Sequence, residues 1–421
     1  MFMKLKALLA CVAVLVPCPK TVAQDSMMER HSATDRVMRL HHSTRAMAGT
    51  PMTQTSPAAT ASMMAAMQGR RVSRLPAGIE RLGPAEGRFL CVRREVVALD
   101  LSARARADIK ALGYDIVRDY DMDGLEIAFS VVRLPRRVKI KEALARLDAI
   151  DPEGTYAPNA LFALASGSVS ERLPSGSLVR AAPIGSATIG LVDTGVDVSV
   201  AGLENVQILQ KKFGDVAVSP RPHGTRIASL SRTAGAGRLY VADVFSDRTG
   251  FASAEDIAGA IEWLTSEGVS VINLSLAGPS NILIERAVDS ALSRGHIIVA
   301  AVGNEGPQAS PRYPAAYPEV LGVTAVDASL EIYPRANRGP GVDVAARGVD
   351  VVANEPGGAR RVSGTSYAAP FISTYLALRF PEPRPSSSSE AFAALSLDAV
   401  DRGTPGFDAV YGAGVVLTDG P

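Results

Sequence analysis

The run His296-Ile297-Ile298-Val299-Ala300-Ala301-Val302, with Gly303-Asn304-Glu305-Gly306 directly after it, decides the fold class. A continuous apolar stretch of this length, bounded by Gly295 and Gly303, reads as a strand buried on both faces. The same pattern recurs on either side. Residues 187–192 (ATIGLV), 238–245, 269–276 (VSVINLSL) and 320–326 read as strands. Helices fit between them at 253–268, capped by Ser253 and stopped at Gly268, and at 281–295. Strands alternating with helices predict an α/β domain over 185–418, built on a doubly wound, mostly parallel sheet. In such sheets the active site lies at the carboxyl ends of the strands. Asp193, Ser275 and Asn304 fall at those ends.

Three residue types in this region belong together chemically. Asp193 stands in Asp193-Thr194-Gly195; alone it would equally open a turn. His223 stands in His223-Gly224-Thr225. The chain has five His; three precede the globular region (His31, His41, His42), and His296 merely opens a strand. His223 is therefore the imidazole available as a base. Ser366 lies in Ser363-Gly364-Thr365-Ser366-Tyr367-Ala368-Ala369-Pro370, a tight turn leading into a helix, where backbone N–H groups can hold a negative oxygen. A Ser hydroxyl needs a base to become a nucleophile. Imidazole suits that task near neutral pH, and a carboxylate orients the imidazole and stabilises its cation. The Asn304 amide can face a developing oxyanion.

The order Asp, His, Ser is the subtilisin order among triad enzymes. Residues 185–418 resemble the subtilisin-like (subtilase) serine peptidases through GLVDTGVD (190–197), HGTRIAS (223–229), INLSLAGP (272–279), VAAVGNEG (299–306) and GTSYAAP (364–370). The resemblance implies Asp193, His223 and Ser366 as catalytic residues and Asn304 in the oxyanion hole. It implies substrate binding by Ser275, Leu276, Ala277 and Gly278, and by Gly303 and Glu305 near the first specificity pocket. Arg312 stands near the expected floor of that pocket, where a cation could favour acidic side chains; pointing to solvent is the alternative. Arg226 and Ser229 replace the His and Gly usual in the His motif. The loop that carries a calcium site in many relatives is missing, so no metal and no cofactor is expected.

Upstream, Lys4 and Lys6 precede an apolar run at 7–16 and Ala23, the order of a signal peptide over 1–23. The run is too short for a stable membrane anchor. Of three Cys, Cys11 and Cys18 leave with it, and only Cys91 remains. Residues 24–88 read as a disordered leader. It holds eight of the eleven Met; a Met/His tract could bind copper, but no ligand spacing repeats. Residues 89–163 read as β-α-β-β-α-β, a small ferredoxin-like α+β domain. The resemblance implies that it is an inhibitory propeptide, with a last strand at 156–162 lying in the substrate cleft. Residues 164–184 read as an exposed linker that contains the processing site.

Lys+Arg 44 against Asp+Glu 43, with 5% aromatics, argues against a nucleic-acid partner. The expectation is an exported, secreted or periplasmic serine endopeptidase of bacterial type. It would be monomeric, made as an autoprocessed zymogen, and would act on polypeptides. Acyl transfer to an amine by the same triad, and a catalytically silent binding homologue, are the alternatives.

Overall fold

A computed structural model describes residues 75–83, 89–165, 167–173, 185–215 and 217–418. The signal segment, most of the leader and residues 174–184 lie outside them.

The amino-terminal part contains β1 (Ile79–Leu82), β2 (Phe89–Leu99), α1 (Ala103–Ala111), β3 (Asp115–Met122), β4 (Ile127–Arg133), α2 (Ile140–Ile150) and β5 (Thr155–Leu164). From β2 onward this is the expected ferredoxin-like order. The strands lie as β5-β2-β4-β3, all antiparallel. The Ser102 hydroxyl accepts from the Ala105 N–H and starts α1, and Gly113, at φ +74°, takes the chain out of it. One face of the sheet is covered by α1 and α2 through Ile109, Ile140 and Leu147. Two boundaries differ from expectation. The leader is not wholly without structure, because Ile79–Leu82 pairs antiparallel with β2 and buries Ile79. The linker does not begin at residue 164, because β5 runs through Leu164 and Ala165 is 4% exposed.

The rest of the chain begins with β6 (Ser168–Arg172), β7 (Ala187–Asp193), β8 (Gln207–Lys212), α3 (Pro222–Thr233) and β9 (Ala236–Asp243). Next come β10 (Ala252–Ser253), α4 (Ala254–Ser266), β11 (Val271–Leu274), β12 (Leu276–Ala277), α5 (Ile282–Ser293) and β13 (Ile297–Ala301). It ends with β14 (Leu321–Val326), β15 (Val344–Arg347), β16 (Val351–Glu355), β17 (Gly358–Ser363), α6 (Thr365–Arg379), α7 (Ser387–Asp398), β18 (Ala399–Val400) and β19 (Val415–Val416). The central sheet runs β18-β19-β15-β14-β13-β11-β7-β9-β8. It is parallel apart from β18.

Helices cover both faces, as the doubly wound reading requires. Ile227 and Leu230 of α3 pack with Tyr367 and Ile372 of α6 on one face. Ile257 and Ile261 of α4 pack with Leu283 and Val288 of α5 on the other. The strand expected over 269–276 is interrupted at Ser275. There the chain leaves the central sheet, and β12 pairs with β5 instead.

The amino-terminal sheet lays its second face, with Phe129, Val131 and Phe162, on the α4–α5 side. A polar cluster locks this contact. Glu95 and Glu255 are nearly buried, and Arg118 sits between them. It donates to both oxygens of Glu255 at 2.6 and 2.8 Å and to Glu95 at 2.8 Å. Asn159 donates to both carboxylates at 3.2 Å. Glu255 also sits in the first turn of α4, where a negative charge suits the helix dipole.

Replacing Arg118 by Ala takes the cation from Glu255, which keeps only hydrogen bonds from Tyr120 and Asn159, while Glu95 retains Arg133 at 2.8 Å. Breaking one side of a buried ion pair costs ~3–5 kcal/mol, and the lower end applies because Arg118 is itself 35% exposed. The Arg118→Ala change in a Ser366→Ala background should therefore lower stability by about 3 kcal/mol, read from urea unfolding. A second expectation concerns Cys91. Its thiol is fully buried, and burial, with the Glu80 charge, pushes it up to about 12. It should resist a thiol reagent at about pH 8 in the folded protein and react only after denaturation.

Candidate active site

The chain order of the central sheet reverses at the β7–β11 pair, and the site lies at the carboxyl ends of the strands there. Asp193 ends β7 and is fully buried. The Thr194 N–H donates to its Oδ1 at 2.6 Å, and the Thr194 hydroxyl does so at 3.2 Å. Pro222 opens α3, so His223 sits in the first turn. Its Nδ1 is 2.9 Å from each Asp193 oxygen. Its Nε2 is 3.2 Å from the Ser366 Oγ. A ring protonated on Nδ1 donates to Asp193 and leaves Nε2 free to accept the Ser366 proton. Ser366 occupies the first turn of α6 after Gly364.

Asn304 follows β13. The Thr365 N–H donates to its Oδ1 at 3.0 Å, which fixes the amide orientation. Its Nδ2 then donates to the Ala165 carbonyl at 2.6 Å. The Ala165 N–H donates to the Ser275 carbonyl at 3.1 Å. The end of β5 is held on both sides: Leu164 and Ala163 pair with Leu276 and Ala277, and Phe162 and Leu161 pair with Ala252 and Ser253. Phe162 lies so close to Gly278 that a Cβ there would collide with its ring. Ser275, Leu276, Ala277 and Gly278 thus line one wall of a cleft occupied by the chain's own backbone.

Gly303 and Glu305 follow β13, whose Ala301 packs with Ala165 and Ala277. Arg312 is not turned to solvent; it is 6% exposed. Burial pulls its guanidinium below the ordinary value, and the nearby Glu305 carboxylate opposes that shift.

Several supports escaped the motif reading. The Asn337 Nδ2 donates to the Val302 carbonyl at 3.2 Å and to Glu305 at 2.6 Å, while its Oδ1 accepts from the Glu305 N–H at 2.8 Å. The Thr365 hydroxyl accepts from the Gly303 N–H at 3.2 Å. Arg226 donates to Glu355 at 2.6 Å and to the Tyr367 hydroxyl at 3.4 Å. The Tyr367 ring is 5.5 Å from that of His223. The Ser229 hydroxyl accepts from the Asn354 N–H at 2.9 Å. The two departures from the usual His motif are thus anchors between α3 and β16. Only the motif departures at 226 and 229 signalled them; nothing in the sequence around Asn337 did.

A buried serine, imidazole and carboxylate in one hydrogen-bonded row, on a doubly wound sheet, define a serine-type hydrolase. A family model described as the Subtilase family matches residues 185–414, and the chain belongs to that family of serine endopeptidases. It is 32% identical over 244 residues to Subtilisin DY of Bacillus licheniformis, covering 54% of this chain and 88% of that protein. It is 35% identical over 210 residues to Subtilisin Savinase of Lederbergia lenta, covering 45% and 77%. The crystal structure of fervidolysin from Fervidobacterium pennivorans, a keratinolytic enzyme related to subtilisin, superposes with a TM-score of 0.66 at 20% identity. That match covers 79% of this chain and 61% of that one, and it shows the shared fold.

The loop 303–312 depends on Asn337, which is fully buried. An Asn337→Ala protein takes this partner from the Ser310 carbonyl at 3.1 Å and from the Glu305 N–H, while the Val302 carbonyl keeps the Arg312 N–H. At ~1–3 kcal/mol for an unsatisfied buried group, stability should fall by about 2–3 kcal/mol in urea unfolding.

Proposed function

We propose that this chain is an exported serine endopeptidase made as a zymogen, with Asp193, His223 and Ser366 as its triad and residues 89–165 as its own inhibitor. Ser366 Oγ attacks a peptide carbonyl while its proton passes to His223 Nε2. Asp193 stabilises the imidazolium through Nδ1. The oxygen that becomes negative lies on the Asn304 amide. The C–N bond then breaks, and His223 returns its proton to the leaving amine. The acyl-enzyme forms in that step. Water enters, gives a proton to His223, attacks the ester carbonyl and releases Ser366 and the acid.

One observation carries the zymogen reading: the Ala165 carbonyl accepts from the Asn304 amide at 2.6 Å while the chain before it is paired as an added strand between β10 and β12. Ala165 then supplies the acyl group of the first reaction, and the bond cut is Ala165–Ser166. After the cut, residues 89–165 remain bound through β5 and the Arg118 cluster, as product and inhibitor. Export through residues 1–23 fits the charged, apolar and small-residue order at the amino terminus. Among the described residues no helix is long and apolar enough to cross a membrane.

Intact-mass analysis of the purified protein tests this reading. The wild type should yield a fragment beginning at Ser166, and the Ser366→Ala protein should stay uncut. A Ser366→Ala protein that still matures when purified alone would refute self-cleavage. Replacing Asn304 by Leu should reduce kcat about 10²–10³-fold with little change in KM.

A further inference from the structure

Arg312 occupies a place that bears on which bonds the enzyme cuts. The Ala165 side chain packs against Ala277 and Ala301. These belong to two backbone segments, 276–278 and 301–303, that flank a slot. The returning chain closes the slot at Arg312 and Tyr313. The Arg312 N–H donates to the Val302 carbonyl at 3.0 Å, and Gly278 and Tyr313 exchange hydrogen bonds at 2.9 and 3.3 Å.

The Arg312 side chain turns back under Gly303. Its Cγ is 3.1 Å from the point where a Cβ on Gly303 would stand. The Glu305 carboxylate and the Asn337 amide crowd the same point, at 2.6 and 2.5 Å. The space beneath the slot is thus filled by three interlocked polar side chains. The Arg312 stem and the Glu305 carboxylate both lie against Gly303, and Asn337 holds that carboxylate in place. A second carboxylate entering here would meet Glu305 and would have to lose its own hydration.

We propose that Arg312 plugs the first specificity pocket, so that this peptidase cleaves after Ala, Gly or Ser and not after large or acidic residues. This rests on the reading of Ala165 as the residue before the cut. The narrow pocket is offset three positions earlier, where Phe162 is fully buried against Gly278. An aromatic side chain there supplies the binding area that a small residue at the cut does not.

The test uses the processed enzyme and peptides Phe-Ala-Leu-X-Ser-Gly, the sequence of residues 162–167 with X at position 165. For X = Ala, kcat/KM should exceed that for X = Phe or Glu about 100-fold, the scale on which pocket size discriminates. Arg312→Gly should raise the ratio of kcat/KM for X = Phe to that for X = Ala at least about tenfold. Arg312→Met, which keeps the bulk without the charge, should retain the small-residue preference even if the Gly variant fails to fold. Wild-type cleavage after Phe or Leu as readily as after Ala, or a preference for Glu, would overturn the plug. Digestion of a denatured protein mixture, read by mass spectrometry, separates this result from the position of self-cleavage. If the chain's own cut lies elsewhere than 165–166, the zymogen reading fails. The residue found before the cuts in the mixture still decides the plug.

Discussion

The amide of Asn304 ties the molecule together. Its oxygen accepts from the start of α6, the helix that presents Ser366. Its nitrogen holds the Ala165 carbonyl, the last backbone group before the cleft's occupant turns away. One planar group thus joins the helix that carries Ser366 and a carbonyl from a distant part of the chain. An amide fixed by a backbone N–H cannot rotate to seek water, so its donor is aimed before any charge forms. The supports around it serve the same geometry. Thr365 braces Gly303, Asn337 braces Glu305, and Arg226 braces Tyr367 beside His223.

The amino-terminal sheet contributes to this geometry from outside. Its apolar face and the α4–α5 side share one core, and the Arg118 cluster caps that core with charge. The apolar contact gives area without direction. The paired carboxylates give direction, because Arg118 and Asn159 reach both of them only in one docking pose. The pose then delivers β5 to the cleft in register with β12.

Most of the central sheet was legible because its strands are buried on both faces and read as unbroken apolar runs. The helix at 254–266 announced itself through Ser253, whose side chain does accept from a first-turn N–H group; Asn281, read as the first residue of the next helix, caps it in the same way. The residues around the site were legible because each stands beside a glycine or a small residue, at a strand end for Asp193 and Asn304 and in the first turn of a helix for His223 and Ser366. Part of what the sequence concealed is held mainly by backbone pairing. Residues 163–172 (ALASGSVSER) look like a linker, since small and polar side chains show no pattern when pairing uses only N–H and C=O groups. The same holds for the two-residue strands β10 and β12. Helix α6 is buried around most of its circumference, so no polar stripe marks its limits. Arg312 was open to opposite readings because its counter-charge, Glu305, is brought to it by a fold contact that spacing does not reveal.

Gly167 lies against the backbone of Ser363 so closely that any Cβ would overlap the carbonyl oxygen, and the chain beyond it continues as β6 paired to β17. If the bond between residues 165 and 166 is the one cut, as proposed, Ala165 and Gly167 on its two sides would stay clamped. Under such confinement the amine and the acyl group remain at a very high effective concentration, and bond making competes with bond breaking. Hydrolysis alone would then be nearly reversible, with an equilibrium near balance. Commitment would come from loss of one clamp: unzipping of β6, or escape of β5 with its sheet. The timing of activation would be set by the weaker of two strand pairings, while the chemistry idles back and forth beforehand.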